Sequence, residues 1–166
     1  MYRVGILTVS DKGSRGERED LSGPEIARIV KENGYEVAFM HMVADEKEDI
    51  KREIIDAADN NLCDLFITTG GTGFAERDVT PEATLEIAEK LVPGIPEAMR
   101  AYSMTITPRG MLSRGVCVIR RKTLILNLPG SVKSVRENLE YVLPNLDHGI
   151  GILTGRESEC GTPHKH

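Results

Sequence analysis

At 166 residues the chain suits one domain built around one core. Its net charge of −5 leaves no electrostatic footprint for nucleic acid or an anionic membrane, and no apolar run approaches the length of a membrane span. Cys63, Cys117 and Cys160 fit no zinc or redox spacing, and Met1-Tyr-Arg-Val4 enters a strand at once with no room for a signal peptide, so a reduced, cytoplasmic protein is the expectation.

Strands and helices then alternate. Val4 to Val9 is an apolar run of buried-strand length. Ser22-Gly-Pro-Glu25 has capping-box spacing, and the helix behind it carries Ile26, Ile29 and Val30 on one face until Gly34 ends it. A second strand is predicted over 35–43. Asp45-Glu-Lys-Glu48 repeats the capping-box spacing ahead of a stripe of Ile50, Ile54 and Ala58. The apolar stretch ending at Thr69 is a third strand. This order implies a parallel sheet covered by helices on both faces. Threonine at the cap and proline in the first turn start a helix predicted over 80–91. Pro93-Gly-Ile-Pro96 leads into another, through about Met104. Residues 116–119 and 123–127 form a hairpin around a solvated Arg120-Arg-Lys122 turn. The last helix follows Pro129-Gly-Ser131, with Leu139, Val142, Leu143 and Leu146 at i, i+3, i+4, i+7 spacing, and His148 is read as ending it. From Thr154 the chain is polar and aperiodic. The expectation is one three-layer α/β/α domain over 1–153, its sheet mostly parallel with a small hairpin, and a frayed tail over 154–166.

Most of the functional signal lies in one run: Thr68-Thr-Gly-Gly-Thr-Gly-Phe-Ala-Glu-Arg-Asp-Val-Thr-Pro-Glu-Ala-Thr84. It joins a strand to a helix. Glycines at such a crossing let the backbone approach a ligand and turn N–H groups toward it. No lysine follows them, so the loop is not a Walker A motif, and GxGxxG is absent too. On residue pattern alone, a tight connection remains the alternative reading. Ligands of open α/β sheets bind beyond the carboxyl ends of the strands. There the chain places Thr8, Ser10 and Asp11 after the first strand, Asp45 after the second, and Thr69 with the glycine loop and Asp78 after the third. Asn127, Pro129, Gly130 and Ser131 follow the last. On residue pattern alone Asp45 reads first as a helix cap, and Asp78 equally as a turn residue.

The run resembles the signature of the MoaB/Mog domain, the molybdopterin adenylyltransferases of molybdenum cofactor synthesis, and is similar to the G domain of gephyrin and its plant counterpart. Four further stretches agree, in the family's order: Val4-Gly-Ile-Leu-Thr-Val-Ser-Asp11, Leu21-Ser-Gly-Pro24, Thr107-Pro-Arg-Gly-Met-Leu-Ser-Arg114 and Leu124-Ile-Leu-Asn-Leu-Pro-Gly130. The resemblance covers about residues 3 to 150. It implies transfer of AMP from ATP to the phosphate of molybdopterin, with release of pyrophosphate. It makes Asp45 and Asp78 the catalytic carboxylates, and their chemistry suits Mg²⁺ ligands or holders of metal-bound water. Thr8, Ser10, Asp20, Ser22 and Gly23 fall on the nucleotide side by motif position, with Thr69, Gly70, Gly71, Thr72 and Gly73 in the loop itself. Asp20 reads equally as a solvated loop residue. Ser113 matches a serine of the family's pterin pocket, Arg114 beside it could meet the pterin phosphate, and the Asn127, Pro129, Gly130 and Ser131 loop could present amides to an anion. For Ser131, simple capping is the alternative. The resemblance also implies a homotrimer and a possible downstream metal-insertion protein as partner. A non-catalytic molybdopterin- or nucleotide-binding protein of the same pathway is the rival reading. His41 is read as packed, and no chemistry is assigned to it, His148, His164 or His166.

Overall fold

A computed structural model describes residues 1–157. In chain order the strands are β1 (Arg3–Val9), β2 (Glu36–Val43), β3 (Leu65–Thr69), β4 (Lys90–Leu91), β5 (Cys117–Arg120) and β6 (Thr123–Leu128). The helices are α1 (Asp11–Ser14), α2 (Ser22–Glu32), α3 (Lys47–Asp59), α4 (Thr80–Glu86), α5 (Gly94–Ile106), α6 (Val132–Val142) and α7 (Leu146–Thr154). All six strands form one sheet in the order β2-β1-β3-β6-β5-β4. The first four of that order are parallel, and β5 and β4 extend the edge antiparallel.

Side chains alternate across the sheet, so each strand feeds two cores. Val4, Ile6, Leu65, Ile67, Leu124 and Leu126 pack against α2, α5, α6 and α7 on one face. Leu7, Val9, Phe66 and Ile125 meet α3 and α4 on the other. The expected three-layer α/β/α arrangement is what forms. The parallel order leaves the carboxyl ends of β1, β2, β3 and β6 side by side, and that edge carries the site.

Several local expectations are corrected. Neither capping box forms. Glu25 is held by Arg28 and Arg136 instead of turning back to Ser22. The N-terminal amides Ser22 N and Gly23 N are capped by the Asp20 carboxylate, at 3.1 and 3.0 Å. At α3 the cap position is Glu46, with no side-chain bond. The helix predicted over 80–91 stops at Glu86, because 90–91 pairs with the edge of β5; Glu89 N donates to Ile119 O and Val92 N to Cys117 O. Two residues are too few to show a strand period. The predicted last helix is broken by Pro144, which lacks an N–H to continue it and lies in a 3₁₀ turn over Leu143–Asn145. His148 consequently falls in the first half of α7, paired with Glu157, and does not end a helix.

Arg120 is no solvated turn residue, since it grips both oxygens of Asp59 and the Ile87 carbonyl. His41 stands exposed on β2, between the Phe39 ring and Glu53, rather than packed inside. The frayed tail was expected to begin at Thr154, yet α7 runs to that residue. Arg156 lies over the Tyr2 ring and reaches the buried Asp64. The rest of the expected tail, with Cys160, His164 and His166, lies outside the described residues. Cys63 and Cys117 are buried free thiols, pushed up to about 12 by that burial.

Candidate active site

The polar edge forms a cavity of about 530 Å³, lined by residues from four loops. Its floor is set by the end of β1. The Thr8 hydroxyl donates to Asp20 Oδ2 at 2.8 Å, while the other oxygen of Asp20 caps α2. Asp20 therefore stitches a strand end to a helix start and is not a solvated loop residue. Ser10 caps α1 by accepting from Gly13 N. Ser22, no longer a cap, donates its hydroxyl to Gly130 O at 2.7 Å and ties α2 to the loop after β6. Gly23 contributes the amide that Asp20 holds.

The glycine loop crosses above. Gly70 and Gly71 take φ of +99° and +69°, values only glycine adopts without strain. Each also stands where a side chain has no room: a Cβ on Gly70 would drive into the Val9 carbonyl oxygen, and one on Gly71 into the Thr80 hydroxyl. The loop is pinned from both sides. Thr69 donates to Pro129 O at 2.7 Å, and Thr80 donates its hydroxyl to Gly70 O at 3.0 Å. Thr80 is thus a brace of the loop rather than the cap of α4. Asp78 accepts from Ala75 N at 3.0 Å and lies against Gly73.

Asp45 is held from several sides. It does not cap α3. Its Oδ2 accepts from Asp11 N at 2.8 Å, and its own amide donates back to Asp11 Oδ1 at 3.0 Å. Its other oxygen, Oδ1, faces the Gly71 backbone. Burial, joined by the negative charges of Asp11 and Asp78, pushes the Asp45 carboxyl above its ordinary range, and the Asp11 amide and Arg77 pull the other way. Asp11 itself is held at about 2 by its hydrogen bonds to Arg77.

Asp45 and Asp78 thus line one cavity with hard oxygen donors, and their like charges leave a deficit of cation there. Among the described residues no group of three or more His, Cys, Asp or Glu side chains is placed to hold a metal. A divalent ion between these two aspartates would draw its remaining oxygens from a phosphate-bearing ligand or water, the usual arrangement for Mg²⁺.

A second cavity of about 170 Å³ lies between α5 and α6. Ser113, Gly115, Arg100, Ser103 and Asn138 line it. Pro129 forms part of its wall, while the next two residues, Gly130 and Ser131, line the larger cavity. Consecutive residues of one strand-to-helix loop therefore line the two spaces. Ser131 also caps α6, its Oγ accepting from Ser134 N, so the capping alternative is realised at a residue that still faces the cavity.

Three expected contacts are not free to meet a ligand. Arg114 spends its guanidinium on Gly73 O, Asp78 O and both oxygens of Glu82, and its amide donates to Thr72 O. It fixes the glycine loop instead of reaching a phosphate. Asn127 is buried; its Nδ2 donates to Thr68 and Thr84 and its Oδ1 accepts from Val116 N. Thr72 is buried and lines neither cavity. The sequence reading missed Arg77, which reaches Asp11 across 66 positions, and Arg18 and Arg100, which line the two cavities. For Arg77 the only signal was its place beside Asp78.

Residues 5–148 match the family described as a probable molybdopterin binding domain. The chain belongs to that family. A molybdopterin adenylyltransferase of Helicobacter pylori strain J99 is 44% identical over 154 residues, 92% of this chain and 88% of that protein. The gephyrin of Dictyostelium discoideum is 42% identical across 98% of this chain, which spans only 24% of gephyrin. The crystal structure of the molybdopterin biosynthesis enzyme MoaB from Thermus thermophilus superposes with a TM-score of 0.89 at 51% identity, covering 93% of this chain and 98% of that one. The family expected from the glycine loop is therefore the family found.

Proposed function

We propose that this chain is a molybdopterin adenylyltransferase that moves AMP from ATP to the terminal phosphate of molybdopterin and releases pyrophosphate. One observation carries the reading: consecutive residues of the Pro129–Ser131 loop line a larger cavity with two carboxylates and a smaller one containing Ser113. A transferase joining two substrates needs two such spaces. The nucleotide fits the larger, between Thr8, Ser10, Ser22 and the glycine loop, and the pterin fits the smaller.

The chemistry places modest demands on the protein. A phosphate oxygen of molybdopterin attacks the α-phosphorus of ATP, the bond to the α,β-bridging oxygen breaks, and its electron pair leaves with pyrophosphate. A phosphomonoester has its second pKa near ~6, so the nucleophile is already largely deprotonated at neutral pH and needs no base. What remains is alignment and the repulsion between two polyanions. Asp45 and Asp78 add negative charge, so their part is to hold Mg²⁺. When bound, Mg²⁺ supplies charge neutralisation for the phosphates. Asp45, with one oxygen pinned by Asp11 N and the other toward Gly71, keeps a fixed orientation. The amides of the glycine loop orient the phosphate chain. Gly130 and Ser131 sit where the pterin phosphate would cross from one space to the other.

The same reading takes the working form to be a cytoplasmic homotrimer that passes its product to a metal-insertion protein. The test is pyrophosphate release from ATP and Mg²⁺, with and without molybdopterin, by wild type, Asp45→Ala and Asp78→Ala. Release that depends on the pterin and collapses in both variants is the expected result. Pterin binding without release from wild type would instead mark a carrier.

A further inference from the structure

Arg77 sits next to the cavity-lining Asp78 and joins three loops that leave three different strands. Its Nε donates to Asp11 Oδ2 at 2.6 Å and its Nη2 to Asp11 Oδ1 at 3.0 Å, a bidentate grip on the loop after β1. The same Nη2 donates to Glu46 Oε1 at 2.7 Å on the loop after β2. Arg77 itself belongs to the loop after β3. Asp11 in turn exchanges two hydrogen bonds with Asp45, at 2.8 and 3.0 Å. A continuous chain of bonds therefore runs from Arg77 through Asp11 to Asp45. That chain ends at the Asp45 amide, while the Asp11 amide separately holds Asp45 Oδ2 and leaves Oδ1 beside Gly71.

We propose that Arg77 and Asp11 act as a pair of positioning residues that set the orientation of Asp45 toward the cation and phosphates of the larger cavity. This rests on the functional reading above. The reason for an arginine here is geometric. Asp11 and Asp45 are both negative and are brought together only through each other's backbone amides. A planar guanidinium can hold both oxygens of Asp11 at once and still leave a donor for Glu46, which the point charge of lysine cannot reproduce. Without it, the Asp11 carboxylate is free to turn away from the Asp45 amide that it accepts from at 3.0 Å, and the backbone that carries the Asp45 side chain loses that anchor. Groups that orient a metal-binding carboxylate typically cost about 10–100-fold in affinity or rate when removed.

The test compares wild type with Arg77→Gln, Arg77→Lys, Asp11→Asn and the double variant Arg77→Gln/Asp11→Asn. It reads kcat, KM for ATP and, independently of turnover, Mn²⁺ affinity by electron paramagnetic resonance in the presence of a non-hydrolysable ATP analogue. Thermal melting checks that each variant folds. Each single variant is expected to lower kcat and weaken Mn²⁺ binding about tenfold, with KM for ATP within about twofold of wild type. Lysine is expected to restore little. The double variant is expected to be no worse than the poorer single one, because both changes break the same chain. A raised KM with unchanged kcat would mean that Arg77 meets the triphosphate directly and would overturn the proposal. So would multiplicative losses in the double variant, full rescue by lysine, or no Mn²⁺ binding by wild type. If wild type binds Mn²⁺ yet releases no pyrophosphate, the functional reading fails and the Mn²⁺ affinities alone decide the positioning role.

Discussion

Replacing Gly70 by alanine should damage both stability and site, and the size of the effect follows from the backbone. At φ +99° an L-residue occupies a strained region, at about 1–3 kcal/mol. The added Cβ also points at the Val9 carbonyl oxygen, a main-chain atom of β1 that cannot swing aside. Forcing atoms into a packed space costs a further ~1–3 kcal/mol. Taking about 4 kcal/mol in all, and about 2–4 °C of melting temperature per kcal/mol for a domain of this size, the midpoint should fall by roughly 8–16 °C. The matched control is Gly149→Ala. Gly149 lies within α7 at ordinary φ, and a Cβ there meets nothing within 4 Å. The same chemical change should add about 1 kcal/mol through helix propensity and raise the midpoint by a few degrees. Differential scanning calorimetry of the three proteins gives both shifts. If Gly70→Ala melts within about 2 °C of wild type, the loop does not hold its conformation against Val9 and the reasoning fails.

Asn127→Ala should destabilise by about 1–3 kcal/mol in urea unfolding, because it leaves the buried Thr68 hydroxyl and the part-buried Val116 amide without their Asn127 partner, while Thr84 keeps its bond to Thr80 O. Ser113→Ala should raise KM for molybdopterin about five- to tenfold, the loss of roughly one neutral hydrogen bond, while KM for ATP stays put; steady-state kinetics with each substrate varied reads the split. Glu25, held at about 2 against an ordinary 4.5 by hydrogen bonds to Arg28 and then Arg136, contributes to acid stability alongside Asp11 and Glu86. Its folded pKa is depressed, so its contribution is full above about 4.5 and is lost as pH falls toward 2. Glu25→Gln should flatten the stability profile across that window, and an unchanged slope in urea midpoints from pH 5 to pH 2.5 would contradict the assignment.

Apolar periodicity, together with glycine and proline punctuation, determined the parallel core of the sheet and most of the element order, but not α1, β4 or the break at Pro144. The strand to which each loop belongs followed from these, because they are local properties of short segments. The glycine loop was legible for the same reason, since its constraint is written in consecutive residues. Tertiary structure alone decided what each polar side chain does. Ser22 and Asp45 carry the local grammar of helix caps, yet a carbonyl of Gly130 and an amide of Asp11 compete for them across 108 and 34 positions. Arg114 and Asn127 look available in the chain and are consumed by partners from other strands and helices. Arg77 looks like a loop residue and grips Asp11 across 66 positions. A hydrogen bond is satisfied by whichever donor or acceptor lies within about 3 Å, and that choice is made only when the sheet brings the loops together.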